Sequence, residues 1–484
     1  MALSPDLKSV SVPLTATLRD VLVAIDANAL GITCVVDEDG KLQGIVTDGD
    51  VRRAILNGVS PSDSCTSVMN RSFVSGLVAA SRNDNLRLMS ERVRFLPILD
   101  DAGHLVNYIS WRDVWNVPLV SPALSGNELK YINECIATGW ISSRGNFVER
   151  FEDSVREYVD AGFALSTSNG TLALQLAIQA LGIGPGDEVI VPDFTFGASA
   201  NAVMQCGATP VFADIDPVTW TLDPTAVSPL ISERTRAIMP VHIYGHPCDM
   251  DPLMDMARRH NLRIIEDCAE AIGAEYKGRP VGSIGDVGCF SFFANKIVTT
   301  GEGGMVTTNN AEMHDRMRML RDHGMRPERR YWHVEAGTNA RMTNLQAAIG
   351  VAQMERIHQF ISSRDELAEK YTAALRDVPG VTPHLAAPWA RKVCWLFTVR
   401  IVAEIAGLDR DGIIERLHKR GIETRAVFSP LHLQPAYASG RAGPCEQSVL
   451  LAGQGLSLPT SNDMPMIEAL KVAHSIRDLA RDAA

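Results

Sequence analysis

Apolar positions along the chain change their period from region to region. In residues 32–56, "ITCVVDEDGKLQGIVTDGDVRRAIL", two β-rich runs flank an acidic-glycine turn, and a hydroxyl residue follows three positions before an Asp that starts a helix. Residues 95–117, "FLPILDDAGHLVNYISWRDVWNV", repeat that order, so residues 1–117 read as an internally repeated α+β unit. The proline-bearing stretch "NVPLVSPALSG" (116–126) predicts a linker. Beyond it "DEVIVPDFTF", "TPVFADI", "RAIMPVHIYG" and "LRIIEDC" are short β-branched runs that end in turns. They alternate with helical stretches such as "GTLALQLAIQALG" and "MDPLMDMARRH". That alternation predicts a largely parallel sheet covered by helices on both faces, with ligand chemistry at the carboxyl ends of the strands. A helix predicted over 342–360 leads into a smaller α+β region, in which "VCWLFTVRIV" is a strand and "RDGIIERLHKRG" and "MIEALKVAHSIRDLARD" are helices. The expected domains are 1–117, 118–365 and 366–484.

Composition narrows the function classes. A net charge of −11 argues against a nucleic-acid footprint, which needs a basic face. No run of about 18 apolar residues predicts a membrane helix, and the amino terminus lacks the basic-then-apolar layout of a secretion signal. The 9 cysteines form no C-x-x-C pair, which predicts reduced thiols, no metal site and a cytoplasmic enzyme.

Four separated stretches reach strand ends and carry candidate chemistry. "STSNGTLALQLAI" sets Asn169, Gly170 and Thr171 at a helix start, an anion site for phosphate or an ordinary capping turn. "PDFTFGASANA" offers Phe196 to stack on a flat ring, with Phe194 assigned to the core. "LRIIEDCAEAIGA" ends a strand in Glu266 and Asp267, where a carboxylate needs a positive partner unless it only caps a helix. "CFSFFANKIVTTGEGGMVTT" places Lys296 between apolar flanks, ahead of Gly301, Glu302, Gly303 and Gly304. Burial lowers a lysine's pKa and frees its amine to attack a carbonyl. Phosphate cradle, stacking ring, carboxylate and lysine together are the requirements of a pyridoxal phosphate site.

These stretches, with "TGWISSRGNFVERFE", "HIYGHPCDMD" and "ARMTNLQAAIGVAQMER", resemble the sugar-nucleotide aminotransferases of the DegT/DnrJ/EryC1/StrS family from about Val117 almost to the carboxyl terminus. The resemblance implies fold type I, the aspartate-aminotransferase-like α/β fold with a small C-terminal α+β domain. It implies a homodimer with shared active sites, a nucleotide-linked 4-keto-6-deoxysugar as substrate, GDP-4-keto-6-deoxymannose as the best match, and L-glutamate as amino donor. By the same resemblance Lys296 forms the Schiff base and Asp267 pairs with the pyridine nitrogen. Phe196 stacks on the ring, Gly170, Thr171 and Ser291 hold phosphate, and Asn339 reaches the phosphate from the neighbouring subunit. His246, His323, Arg330 and His333 are substrate-side candidates. Two departures stand out: Glu270 occupies a place where many members have Gln near the cofactor hydroxyl, and Phe293 one where many have His. Relatives that dehydrate the sugar replace the lysine with histidine, so Lys296 argues against that rival.

The repeat in 1–117 resembles a tandem pair of CBS modules, which implies an adenine or related nucleotide near Thr47 and Asp50, and near Ser110 and Asp113 in the second half. Asn107 departs from the pattern by standing where the first half has Gly44. Thr47 and Asp50 also read as a plain helix cap. A CBS sensor fused to an inactive transferase body is the rival from outside the enzyme class.

Overall fold

The computed structural model describes residues 5–80, 82–89, 93–110, 117–326, 328–329 and 331–482. It forms two compact units, Met1–Val117 and Pro118–Ala484.

The first unit is built from two copies of one three-stranded pattern. Ser11–Pro13 pairs in parallel with Ile32–Val36, which pairs antiparallel with Leu42–Thr47. Gly76–Leu77, Phe95–Leu99 and Leu105–Ser110 repeat this arrangement, including a register shift at the matching place. The two hairpin turns bond reciprocally, Leu42 N–H to Gly103 O and Leu105 N–H to Gly40 O, each at 3.1 Å. Asn107 opposes Ile98 as Gly44 opposes Val35, so the departure read from the sequence falls at an equivalent register position. At Gly44 the space is tight, since a Cβ there would lie 3.0 Å from Asn70 O. The helix Leu18–Asn28 buries Leu18, Val21 and Ile25, the spacing of one helical face.

Thr47 caps the helix Asp48–Leu56. Its Oγ1 accepts from Asp50 N–H (3.2 Å), while Asp50 Oδ2 takes the Thr47 N–H (2.9 Å) and hydroxyl (2.6 Å). Thr17 and Asp20 make the same box one helix earlier. Ser110 is buried at a strand end. Asp113 lies outside the described residues.

In the second unit an eight-stranded sheet runs Arg441–Ala442, Thr209–Ala213, Glu188–Pro192, Thr235–Ile238, Arg263–Asp267, Val287–Ser291, Gly304–Thr308, Phe163–Thr167. Gly304–Thr308 is antiparallel to both its neighbours, and the other pairings are parallel. Being reversed, this strand starts at the edge where the others end. The "NKIVTTGEGG" turn therefore lies on the ligand side of the sheet. One face packs on Gly170–Ala180 through Ala173, Leu174 and Ala177, against Val189, Val191 and Val306. The other core brings Phe151 and Val351 together with Phe290 and Phe292.

The helix expected over 342–360 is two, Asn344–Met354 and Ile357–Leu375. Arg356 leaves helical geometry at φ −116°, ψ 8°. Both residues at the break are tied elsewhere: Glu355 accepts from the Tyr131 hydroxyl at 2.6 Å, and Arg356 reaches Ser125 Oγ at 3.1 Å. Further along, Val381–Pro383, Phe397–Ile401, Gly455–Leu458 and Arg425–Ala426 form an antiparallel four-stranded sheet. Between Arg425–Ala426 and Gly455–Leu458 the chain returns Arg441–Ala442 to the edge of the large sheet, where Arg441 bonds the buried Glu188 at 3.2 Å. None of the described helices is long and apolar enough to cross a membrane.

Candidate active site

Three strand ends converge around the start of one helix. Ser291 pairs with Gly304, and Gly304 with Thr167. The chain from Thr167 turns through Asn169, whose Oδ1 accepts the Leu172 N–H (2.9 Å) and caps Gly170–Ala180. The approach is close. A Cβ on Gly170 would lie 2.8 Å from Ser291 Cβ, and one on Gly304 would lie 2.4 Å from Asn169 O. Gly170, Thr171 and Ser291 thus meet at a helix N-terminus, whose dipole and backbone N–H groups suit a phosphate.

Lys296 lies in the turn between Val287–Ser291 and Gly304–Thr308. That turn is closed by Phe292 N–H to Gly303 O (2.8 Å) and Thr300 N–H to Phe292 O (2.9 Å). The lysine side chain is 13% exposed, and its Nζ stands 3.9 Å from Glu270 Oε1. Burial pulls its pKa down, against the pull of the Glu270 and Asp267 carboxylates. Burial likewise pushes the Glu270 carboxyl up, to about 7, while the Tyr244 N–H donates to its Oε2 at 2.7 Å.

The adjacent residues Glu266 and Asp267 take opposite roles. Glu266 is fully buried and accepts from His242 Nε2 (3.1 Å), Gly282 N–H (2.9 Å), Ile284 N–H (2.8 Å) and Gly285 N–H (2.7 Å). Burial opposes its ionisation, but His242 and the backbone N–H groups prevail and hold it below the usual range. It ties the 282–285 loop to the strand end. Asp267 is also buried; among the described residues its carboxylate accepts from the Ser199 hydroxyl (2.8 Å) and the Ala269 N–H (3.1 Å), and burial raises its pKa. Such a carboxyl is short of a positive donor, which a pyridinium N–H supplies. Amine, under-paired carboxyl and helix-start cradle therefore fit pyridoxal phosphate.

Phe194 is buried, edge-on to Trp220. Phe196 is 63% exposed, its ring centroid 6.1 Å from Phe428. Asn339 is exposed and accepts from Arg341 Nε at 3.0 Å. His323 and His333 are exposed and bonded to each other, His333 Nδ1 to His323 O at 2.8 Å. Phe293 is exposed as well, and Arg330 lies outside the described residues.

His246, a substrate-side candidate, has both ring nitrogens engaged inside the fold. It is fully buried, its Nε2 accepts from Ala387 N–H (3.0 Å), and its Nδ1–H therefore donates to Pro247 O (2.7 Å). With both nitrogens used the ring is neutral, and burial lowers its pKa from 6.5 to about 4. The unfolded chain protonates this ring first as pH falls. The stability it contributes is thus whole above pH 6.5 and is lost as pH drops toward 4, by about 3 kcal/mol at the lower end. Urea midpoints of His246→Gln should fall less over that pH range than those of the parent, and equal slopes would refute the assignment.

Sequence reasoning missed Ser199, Tyr244 and Trp395. Ser199 had a signal, a hydroxyl within the apolar run "GASANAV". The other two lie in "HIYGHPCDMD" and "VCWLFTVRIV", where nothing local marks them.

The fold and this lysine–carboxylate edge define a pyridoxal-phosphate-dependent aminotransferase. The chain belongs to the DegT/DnrJ/EryC1/StrS aminotransferase family, whose profile matches residues 122–477. It is 49% identical over 350 residues to GDP-perosamine synthase of Caulobacter vibrioides, covering 72% of this chain and 94% of that one. It is 41% identical over 367 residues to GDP-perosamine synthase of Escherichia coli O157:H7, covering 76% and 99%. Among solved structures, S. venezuelae DesV in complex with a ketimine intermediate superposes with a TM-score of 0.70 at 38% identity, covering 75% of this chain and 98% of that one. A CBS domain profile matches residues 5–57.

Proposed function

We propose that this chain transfers an amino group from L-glutamate to GDP-4-keto-6-deoxymannose, producing GDP-perosamine. The observation that carries the transfer is the desolvated Lys296 amine, 3.9 Å from Glu270 at the ligand edge of the sheet. The sugar and nucleotide are suggested by two relatives, named as GDP-perosamine synthases, at 49% and 41% identity.

Bound pyridoxal phosphate supplies an electron sink for cleavage of the bond between the amino-bearing carbon and its hydrogen. Lys296 holds the cofactor at rest, and once displaced its Nζ takes that proton and returns it one position away. Asp267, steadied by Ser199, holds the proton on the ring nitrogen. Gly170, Thr171 and Ser291 bind the phosphate, and Phe196 covers the ring. Glu270 would stand near the cofactor hydroxyl. Its raised pKa lets it carry a proton there, which avoids setting two anions against each other.

The same reading has the chain work in the cytoplasm as a homodimer in which Asn339 serves the neighbouring subunit. It makes 118–365 and 366–484 the large and small parts of the transferase, and 1–117 a CBS pair open to an adenine or related nucleotide. In the first repeat, Asp50 Oδ1 is paired with Arg53 at 2.5 Å, so a ribose must displace that guanidinium.

The test is spectroscopic. L-Glutamate should bleach the visible cofactor band of the purified protein, and GDP-4-keto-6-deoxymannose should restore it. Restoration only by UDP- or dTDP-linked keto sugars would overturn the substrate, and a colourless protein would favour the sensor reading. Turnover that ignores added nucleotides would leave 1–117 as a tether.

A further inference from the structure

The Lys296 amine has a neighbour besides the carboxylates. Trp395 is 3% exposed, and Lys296 Nζ stands over its ring, 3.9 Å from the centroid. The indole N–H of the same residue donates to Asn295 O at 2.9 Å. One side chain thus grips the backbone just before the lysine and offers a π face to its amine.

Tyr244 stacks on Trp395, with centroids 5.7 Å apart and planes 20° apart, and on Phe428 at 5.5 Å and 21°. Its backbone is left-handed, φ 50° and ψ 29°, a conformation that costs energy for an aromatic residue. The next residue locks it there. Gly245 has φ +78°, a Cβ on it would lie 2.0 Å from Val393 O, and its carbonyl accepts the Val393 N–H at 3.1 Å. The turn that sets the Tyr244 ring against Trp395 also aims the Tyr244 N–H at Glu270 Oε2 (2.7 Å). A single strained residue therefore places both groups that flank the amine. Strain kept by surrounding structure at such a point marks a functional constraint.

We propose that Trp395 is a further residue of the active centre, whose ring face holds the Lys296 ammonium while the amine carries the transferred proton, and that Tyr244 positions Trp395 and Glu270 against it. This rests on the reading of Lys296 given above. Nζ takes up and gives back the transferred proton, and Trp395 exchanges none. A carboxylate at hydrogen-bond distance would stabilise the ammonium so well that it kept the proton. A π face stabilises the charge in a desolvated place and lets the proton go. The titratable groups facing Nζ are Glu270 and Asp267, and both remain in the variants below.

The experiment uses the full-length, cofactor-loaded protein. In Trp395→Leu the visible band and KM should stay near the parent's, while kcat falls about 10-fold. With the ring gone the ammonium is less favoured, so the acidic limb of the kcat–pH profile should move to lower pH. Trp395→Phe keeps a face but loses the bond to Asn295, and should stay within about 3-fold of the parent. Trp395→Met carries the same expectation as leucine and serves if leucine empties the site. Parental kcat and pH limb in the variants lacking a ring, or equal losses in Phe and Leu, would overturn the role of the face. A parent without a visible band would instead overturn the reading of Lys296.

Discussion

Replacing Lys296 with alanine should leave a folded protein that still takes up pyridoxal phosphate but has lost at least about 10³-fold in transamination. The loss is large because two roles end together, the covalent hold on the cofactor and the transfer of the proton. Glu270 cannot substitute. Its Oε2 is held by the Tyr244 N–H, and it has no amine with which to form a covalent bond to the cofactor. Uptake should persist, because the cradle at Gly170, Thr171 and Ser291 and the carboxyl of Asp267 do not depend on the lysine. The check is a single turnover with glutamate, followed by absorbance and by 2-oxoglutarate release. A rate near the parent's would remove Lys296 from its role.

Asp267→Asn should cost about 10²- to 10³-fold in kcat while the protein remains at least as stable as the parent at pH 8. An amide keeps both contacts when its oxygen accepts the Ala269 N–H and its NH2 donates to Ser199 Oγ, so the geometry survives, but it puts no negative charge against a ring nitrogen. The stability expectation follows from the direction of the shift. Burial raises the Asp267 pKa, so the ionised native form is disfavoured as pH climbs above the ordinary carboxylate value of 3.8, and the amide relieves this. Cofactor-free melting at pH 8 and steady-state kinetics check both halves. Activity within a few-fold of the parent would sink the assignment of Asp267.

The site was legible where its signals are local. Lys296 between apolar flanks, the glycines behind it and the carboxylate at a strand end each lie within a few residues of a recognisable turn. The reversed strand Gly304–Thr308 then explains why the lysine turn falls on the ligand edge. The state of His246 is not legible locally because it is set far along the chain. Ala387, 141 residues away, supplies the N–H that uses up its Nε2. Trp395 was read only as part of a strand, since nothing in "VCWLF" announces a lysine amine over its ring.

Sequence alone determined the alternation that makes the sheet, the repeat in 1–117, the family, and the groups Lys296, Asp267 and Glu270, because periodicity and chemical type are properties of short stretches. Only the tertiary structure decided that Asp267 meets Ser199 while Glu266 is spent on a loop, that the 342–360 helix breaks at Arg356, and that Tyr244 sits strained between Trp395 and Glu270. Burial and hydrogen-bond partners assign those roles, and they come from segments that meet only when the chain is folded.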